Sequence, residues 1–163
     1  MTKASGRAVT AFSRAVVAIL EESGIDGVQV GTATERNSNQ KGFEVSISVG
    51  IAGQLHGFMF LEASRRSATN QATQLGAALG VPLENPTDFG PMHKAVLSEL
   101  ANQVSGRASM YLSDLGLEVF ITPPTVVTGR SVHMAISDHL DVHEVPITAP
   151  AVSWSLVVGV RAN

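Results

Sequence analysis

Apolar side chains along residues 7–23 fall three or four positions apart, at Ala8, Phe12, Ala15, Val16, Ile19 and Leu20. That spacing predicts a helix with one buried face, and Gly24 stands where a left-handed cap would end it. Residues 28–34 read as a strand and the polar run Glu35 to Gly42 as a loop. From Phe43 the period drops to two: Phe43, Val45, Ile47, Val49 and Ile51 alternate with Glu44, Ser46, Ser48 and Gly50. Gly53 allows a turn into a second strand from His56 to Leu61. The alternation returns in Leu117, Val119 and Ile121, in Val132, Met134 and Ile136, and in Val152, Trp154, Leu156, Val158 and Val160. Two further helices, about 65–79 ending at Gly80 and about 90–115 ending at Gly116, are separated by the proline-rich tract Val81 to Pro91. Alternating strands predict an antiparallel sheet covered by helices on one face, because buried parallel strands would be apolar at nearly every position. The element order, read twice along the chain, suggests two related halves.

Composition narrows the classes. With 163 residues, 44% of them apolar and 15% charged, the chain reads as one globular α+β domain over residues 1–163. A formal charge of -3, with eleven Lys and Arg scattered along the chain, leaves no basic stripe for nucleic acid. Cysteine is absent, which removes disulfide scaffolds, thiolate zinc sites and cysteine-nucleophile phosphatases. The apolar stretch Ala15 to Leu20 is too short for a signal peptide, and no run approaches the ~20 residues of a membrane span. The expectation is a soluble cytoplasmic protein.

The helix near 90–115 carries the candidate chemistry. At about 100° per residue, Val96, Leu97, Leu100, Val104, Ala108, Tyr111 and Leu115 form a stripe that must face the sheet. The opposite side carries Ala95, Glu99, Asn102, Gly106 and Ser109, stacked three and four apart. Around Glu99 and Asn102 that row holds small residues, which let another backbone approach closely, and a mid-helix glycine costs about 1 kcal/mol relative to alanine unless something compensates. Glu and Asn on a solvated helix face are ordinary, however, and E-x-x-N alone is a weak motif.

The stretch Leu97-Ser98-Glu99-Leu100-Ala101-Asn102-Gln103-Val104-Ser105-Gly106, followed by Pro124-Thr125-Val126-Val127-Thr128-Gly129, resembles the core of the CheC/CheX/FliY family of chemotaxis phosphatases. The resemblance is to its CheX branch and covers about residues 40 to 137, with Ala68 to Gly80 similar to the family's preceding helix. The first helix has no E-x-x-N, so one half alone carries the pair, as in that branch. The family often has Asp or Ser four residues before the Glu, where this chain has Ala95.

The resemblance implies a CheC-like fold, a six-stranded antiparallel sheet with long helices on one face and two pseudo-repeated halves. It implies hydrolysis of the phosphoaspartate on a CheY-like receiver domain, in chemotaxis or related two-component signalling. Glu99 and Asn102 would be catalytic: Asn102 orients a water in line with phosphorus, and Glu99 accepts a hydrogen bond from the receiver's active-site lysine. Ala95, Ser98, Gly106 and Ser109 would form the partner-binding surface. No cofactor or metal of its own is implied, since Mg2+ is held by the receiver. The rival reading is a non-catalytic receiver-binding or flagellar-switch adaptor of the same fold. The other sheet face looks Ser- and Gly-rich, and that face or an unpaired edge strand leaves a homodimer open.

Other candidates carry bland readings. His139 and His143, near Asp138, Asp141 and Glu144, have helical metal-ligand spacing, but Pro146 and the surrounding alternation favour a solvated hairpin or loop. His56 and His93 read as packed or capping histidines, Trp154 as core, and Arg65 and Arg66 as solvated surface. No G-x-x-x-x-G-K-[ST], H-E-x-x-H or G-x-S-x-G occurs.

Overall fold

The computed structural model describes residues 1–36, 42–81, 83 and 89–163. The expected loop before Phe43 and the proline tract before Pro91 lie largely outside these residues. Among the described residues three helices, α1 (Lys3–Glu22), α2 (Arg65–Ala78) and α3 (Pro91–Ser113), accompany eight strands. The strands are β1 (Gln29–Val30), β2 (Thr34–Glu35), β3 (Phe43–Gly53), β4 (Leu55–Ala63), β5 (Val119–Ile121), β6 (Thr125–Val132), β7 (Asp141–Ala149) and β8 (Val152–Ala162). The α+β antiparallel expectation holds; β1 and β2 are two short pieces of the strand expected over residues 28–34, and β7 is a full strand where a hairpin or loop was expected.

Every pairing is antiparallel, in the order β1-β7-β8-β4-β3-β5, with β2 also on β7 and β6 also on β3. This order is its own mirror when β1 is exchanged with β5, β3 with β7 and β4 with β8. Each half thus places its hairpin at the centre of the sheet and lends its short strands to the far edge of the other half. Neither half completes its sheet alone.

The core lies between the sheet and the helices. The alternate residues Val45, Ile47, Val49 and Ile51 of β3 are buried, as their period requires, and meet Phe12, Leu20 and Leu97 from the helices. Trp154 is also buried, and its Nε1–H donates to Gln71 Oε1 at 3.3 Å, so the polar end of the ring is satisfied inside the core. Gly24 and Gly116 follow α1 and α3 with φ of +81° and +75°, the left-handed conformation that glycine adopts without steric cost.

Three expectations change. The strand expected through Val132, Met134 and Ile136 lies earlier, at Thr125–Val132; residues 133–140 leave the sheet. Their alternation arises because Met134, Ile136 and Leu140 turn toward Phe58, Phe60, Val142 and Val157 and cover part of the outer sheet face. That face is therefore not merely Ser- and Gly-rich. Beside this small apolar cluster it holds a buried ion pair, Arg36 Nη1 to Glu62 Oε2 at 2.5 Å, with Ser46 Oγ 3.5 Å from Glu62 Oε1. Burial pushes the Glu62 carboxyl above its ordinary range, and the Arg36 guanidinium opposes this.

His143 is the third change. It lies on β7, buried, not in a solvated loop, and its Nε2 is 2.6 Å from Asp141 Oδ1. Asp141 Oδ2 accepts from the Thr2 backbone N–H at 2.6 Å and from Ser5 Oγ at 2.5 Å, so β7 clamps the first turn of α1. Partial burial pushes the Asp141 carboxyl up, but the donors Ser5, Thr2 and His143 outweigh it and hold the group well below the usual carboxylate range. A carboxyl depressed on folding contributes stability above its unfolded pKa, and that contribution is lost as pH falls through the folded value. Asp141→Asn should destabilise the chain by about 2 kcal/mol at pH 7, with the difference from wild type shrinking at strongly acid pH; chemical denaturation across pH measures it.

Candidate functional site

The site is built on α3, and the way this helix is held determines what it presents. Pro91 occupies the first helical position, where its missing N–H is no loss, and buried His93 accepts the Gly90 backbone N–H on Nδ1 at 3.2 Å. The capping role expected for His93 is the one it fills. At the other end Leu117 N–H donates to Leu112 O at 2.9 Å, closing the turn at Gly116. Toward the core α3 buries His93, Val96, Leu97, Leu100, Ala101, Val104, Ser105, Ala108 and Leu112. The expected stripe holds as far as Tyr111, which is half-buried and packs against the core. Leu115 instead is exposed, because the helix ends at Ser113 and the phase beyond it is broken; Leu112 takes the buried place.

Helix α3 packs against both α1 and α2. Arg107 fixes its rotation against α1, with Nη1 and Nη2 donating to Glu22 Oε1 and Oε2 at 2.8 and 3.0 Å. This fork holds the Glu22 carboxyl below its ordinary range. Arg14 of α1 also lies 4.3 Å above the centroid of the Tyr111 ring. The orientation of the α3 outer face is therefore set by its buried stripe, with these contacts added on its flanks.

On that outer face Ala95, Glu99, Asn102 and Gly106 are all exposed, and Ser98 and Ser109 are half-buried at its margin. The sequence thus places Glu99 and Asn102 together on one side of one helix, separated by about 4.5 Å of helical rise. A Cβ added at Gly106 would meet nothing within 4 Å, so its own chain does not require a glycine there. Ser109 Oγ lies 3.5 Å from Val119 O, at the long limit of a hydrogen bond.

Gln103, which the sequence reading passed over, donates from Nε2 to Glu99 Oε1 at 2.9 Å. Its position four residues after Glu99 was the available signal. This contact steadies the carboxylate while Asn102 keeps its carboxamide free in solvent. The site offers one anion and one group that both donates and accepts, with no strong base or nucleophile beside them. Such a pair can anchor a cation and orient a water, but needs a second molecule to supply the reacting group.

The remaining candidates do not join this site. His139 is exposed in the segment between β6 and β7, and His143 is paired with Asp141. Among the described residues no cluster of three His, Cys, Asp or Glu side chains could hold a metal ion. No described helix is long and apolar enough to cross a membrane.

Comparison with known proteins agrees with this architecture. The family model described as Chemotaxis phosphatase CheX matches residues 45–148, which include β4, α2, α3, β5, β6 and nearly all of β3 and β7. The CheY-P phosphatase CheX of Thermotoga maritima is 34% identical over 82 residues, covering 50% of this chain and 50% of that protein, so the match spans about half the length of the curated relative. A CheC-like superfamily protein from Shewanella sp. PV-4 superposes with a TM-score of 0.82 at 20% identity, covering 99% of this chain and 100% of the other. The CheX-CheY-BeF3-Mg2+ complex of Borrelia burgdorferi gives a TM-score of 0.76 at 21% identity, covering 94% of this chain and 97% of its counterpart. With α2, the E-x-x-N helix α3 and the strands from β3 to β7 falling wholly or almost wholly in the matched region, the chain belongs to the CheX family of chemotaxis phosphatases.

Proposed function

We propose that this chain, acting as one CheX-like domain, accelerates hydrolysis of the phosphoaspartate on a CheY-like receiver domain in the cytoplasm. The observation that carries the reading is the joint exposure of Glu99 and Asn102 on one face of α3. Family membership and the Borrelia complex, in which a relative is bound to CheY with BeF3 and Mg2+, support the same partner class.

The chain's own residues perform positioning. Asn102 donates to and accepts from a single water, holding its oxygen in line with phosphorus while the bond to the aspartyl oxygen breaks. Glu99 accepts a charge-assisted hydrogen bond from the receiver's lysine, which sets the register of docking. In this reading the Mg2+ is the receiver's, a reading supported by the Borrelia complex of CheX with CheY, BeF3 and Mg2+. When bound there it neutralises charge on the phosphoryl oxygens. Ala95 and Gly106 keep the ridge low enough for the two longer side chains to enter a cleft. A mid-helix glycine costs about 1 kcal/mol against alanine, and no internal contact compensates it here, as expected for a residue retained for an outside surface.

The test is a panel of phosphorylated receivers from the same genome, mixed with the chain and Mg2+ while phosphate release is followed. Acceleration of at least one receiver is expected. Binding without acceleration would assign the chain to the adaptor role instead. Glu99→Ala is expected to raise KM about tenfold as well as lowering turnover, since it removes a charged contact worth on the order of 1.5 kcal/mol or more.

A further inference from the structure

Two large apolar side chains stand in solvent on the same face of α3, Met92 at 54% exposure and Met110 at 64%. They are eighteen residues apart in the sequence, five full turns of helix, so they lie on one line about 27 Å long. The midpoint of that line is position 101, between Glu99 and Asn102.

This placement has the scale and composition of a protein interface. A standard interface covers about 800 Å2 on each partner, a disc roughly 32 Å across. Centred on the Glu99 and Asn102 pair, such a footprint reaches both methionines and ends just beyond them. Among the described residues of α3, the face between them carries Ala95, Gln103 and Gly106 with Glu99 as its only charge, while Arg107 on the flank is engaged by Glu22. Methionine is enriched at interfaces relative to the rest of the surface, and its unbranched, polarizable side chain fits irregular partners. Neither methionine belongs to the hydrophobic core clusters of the chain.

We infer that Met92 and Met110 are the apolar anchors at the two ends of the receiver-docking surface, gripping the partner on either side of the catalytic pair. The inference rests on the proposed function and deepens it by naming residues that govern affinity without touching the reacting atoms. Because the two side chains are far apart, their contributions are independent.

The experiment uses whichever receiver in the panel the wild-type chain dephosphorylates fastest, and reads KM and kcat separately. Met92→Asp and Met110→Asp are each expected to raise KM about tenfold, leave kcat within about twofold of wild type, and combine to about a hundredfold. Met92→Leu and Met110→Leu should stay within about twofold of wild type, since volume and apolarity are kept. An unchanged KM in both aspartate variants, or a fall in kcat equal to the rise in KM, overturns the inference. Failure of the underlying reading looks different: no receiver in the panel is dephosphorylated faster, or Asn102→Ala turns over as wild type does.

Discussion

Asn102→Ala should lower stimulated phosphate release by about a hundredfold or more, while the dissociation constant for a beryllofluoride-activated receiver stays within about threefold of wild type. The reason is the division of labour on α3. Asn102 is exposed and is not among the buried residues that hold α3, so its removal should leave fold and docking surface intact. What disappears is the group that places water in line with phosphorus, an interaction made in the transition state and not in the resting complex. Asn102→Asp, close in shape but unable to donate and negatively charged beside a phosphoryl group, should be equally poor. Equal turnover by wild type and Asn102→Ala in single-turnover phosphate release would remove the assignment.

The second large effect concerns stability and lies on the opposite side of the sheet. Arg36→Met should cost about 3–5 kcal/mol, because it leaves Glu62 as an uncompensated charge in the interior. The side chain of Glu62 is fully buried and its carboxyl is already pushed up by burial, with Arg36 as the main opposing influence. A carboxyl whose folded pKa is raised takes up its proton more readily in the folded state. Its contribution is most favourable at low pH and declines as pH rises through the folded value. Without Arg36 the folded value rises further, so that decline should extend to higher pH and run deeper, and Arg36→Met should be least damaging in acid. Replacing both partners, Arg36→Met with Glu62→Leu, should recover most of the loss, since two apolar groups leave no buried charge. Urea denaturation of the three chains at pH 5 and pH 8 reads all of this; an Arg36→Met chain as stable as wild type at pH 8 would show that the pair contributes nothing.

Much of the fold was legible because the signals were periodic. The two-residue alternation of β3 and β8 and the 3.6-residue stripe of α3 are imposed by burial on one side, and the structure buries those sides. The same logic misread Val132, Met134 and Ile136. Apolar residues that alternate on a segment folded over a sheet face look like a strand in sequence, although the sheet has already ended at Val132. Leu115 was misplaced for a related reason, since a periodic extrapolation does not know where the helix stops. The Arg36 and Glu62 pair and the Asp141 clamp were invisible because each joins residues 26 and 139 positions apart, and no local pattern records such a partnership.

The candidate site divides in the same way. Glu99 and Asn102 were found through a local motif, and helical geometry was enough to place them on one exposed face. Gln103 was missed although it is adjacent, because its role depends on a contact with Glu99 that only coordinates reveal. His143 had the spacing of a ligand to His139 but is committed to Asp141, since strand geometry sends it into the sheet edge near α1.

The central claim is that Glu99 and Asn102 enter a cleft on another protein, and side-chain amide NMR observes this directly. The Asn102 NH2 resonances of the isotopically labelled chain would be followed while an unlabelled, beryllofluoride-activated receiver and Mg2+ are added. The account predicts large shifts at Asn102 and along the exposed face of α3, with α1 and β7 unmoved. Binding that shifts the outer sheet face or the strand edges, and leaves the Asn102 resonances in place, would contradict it.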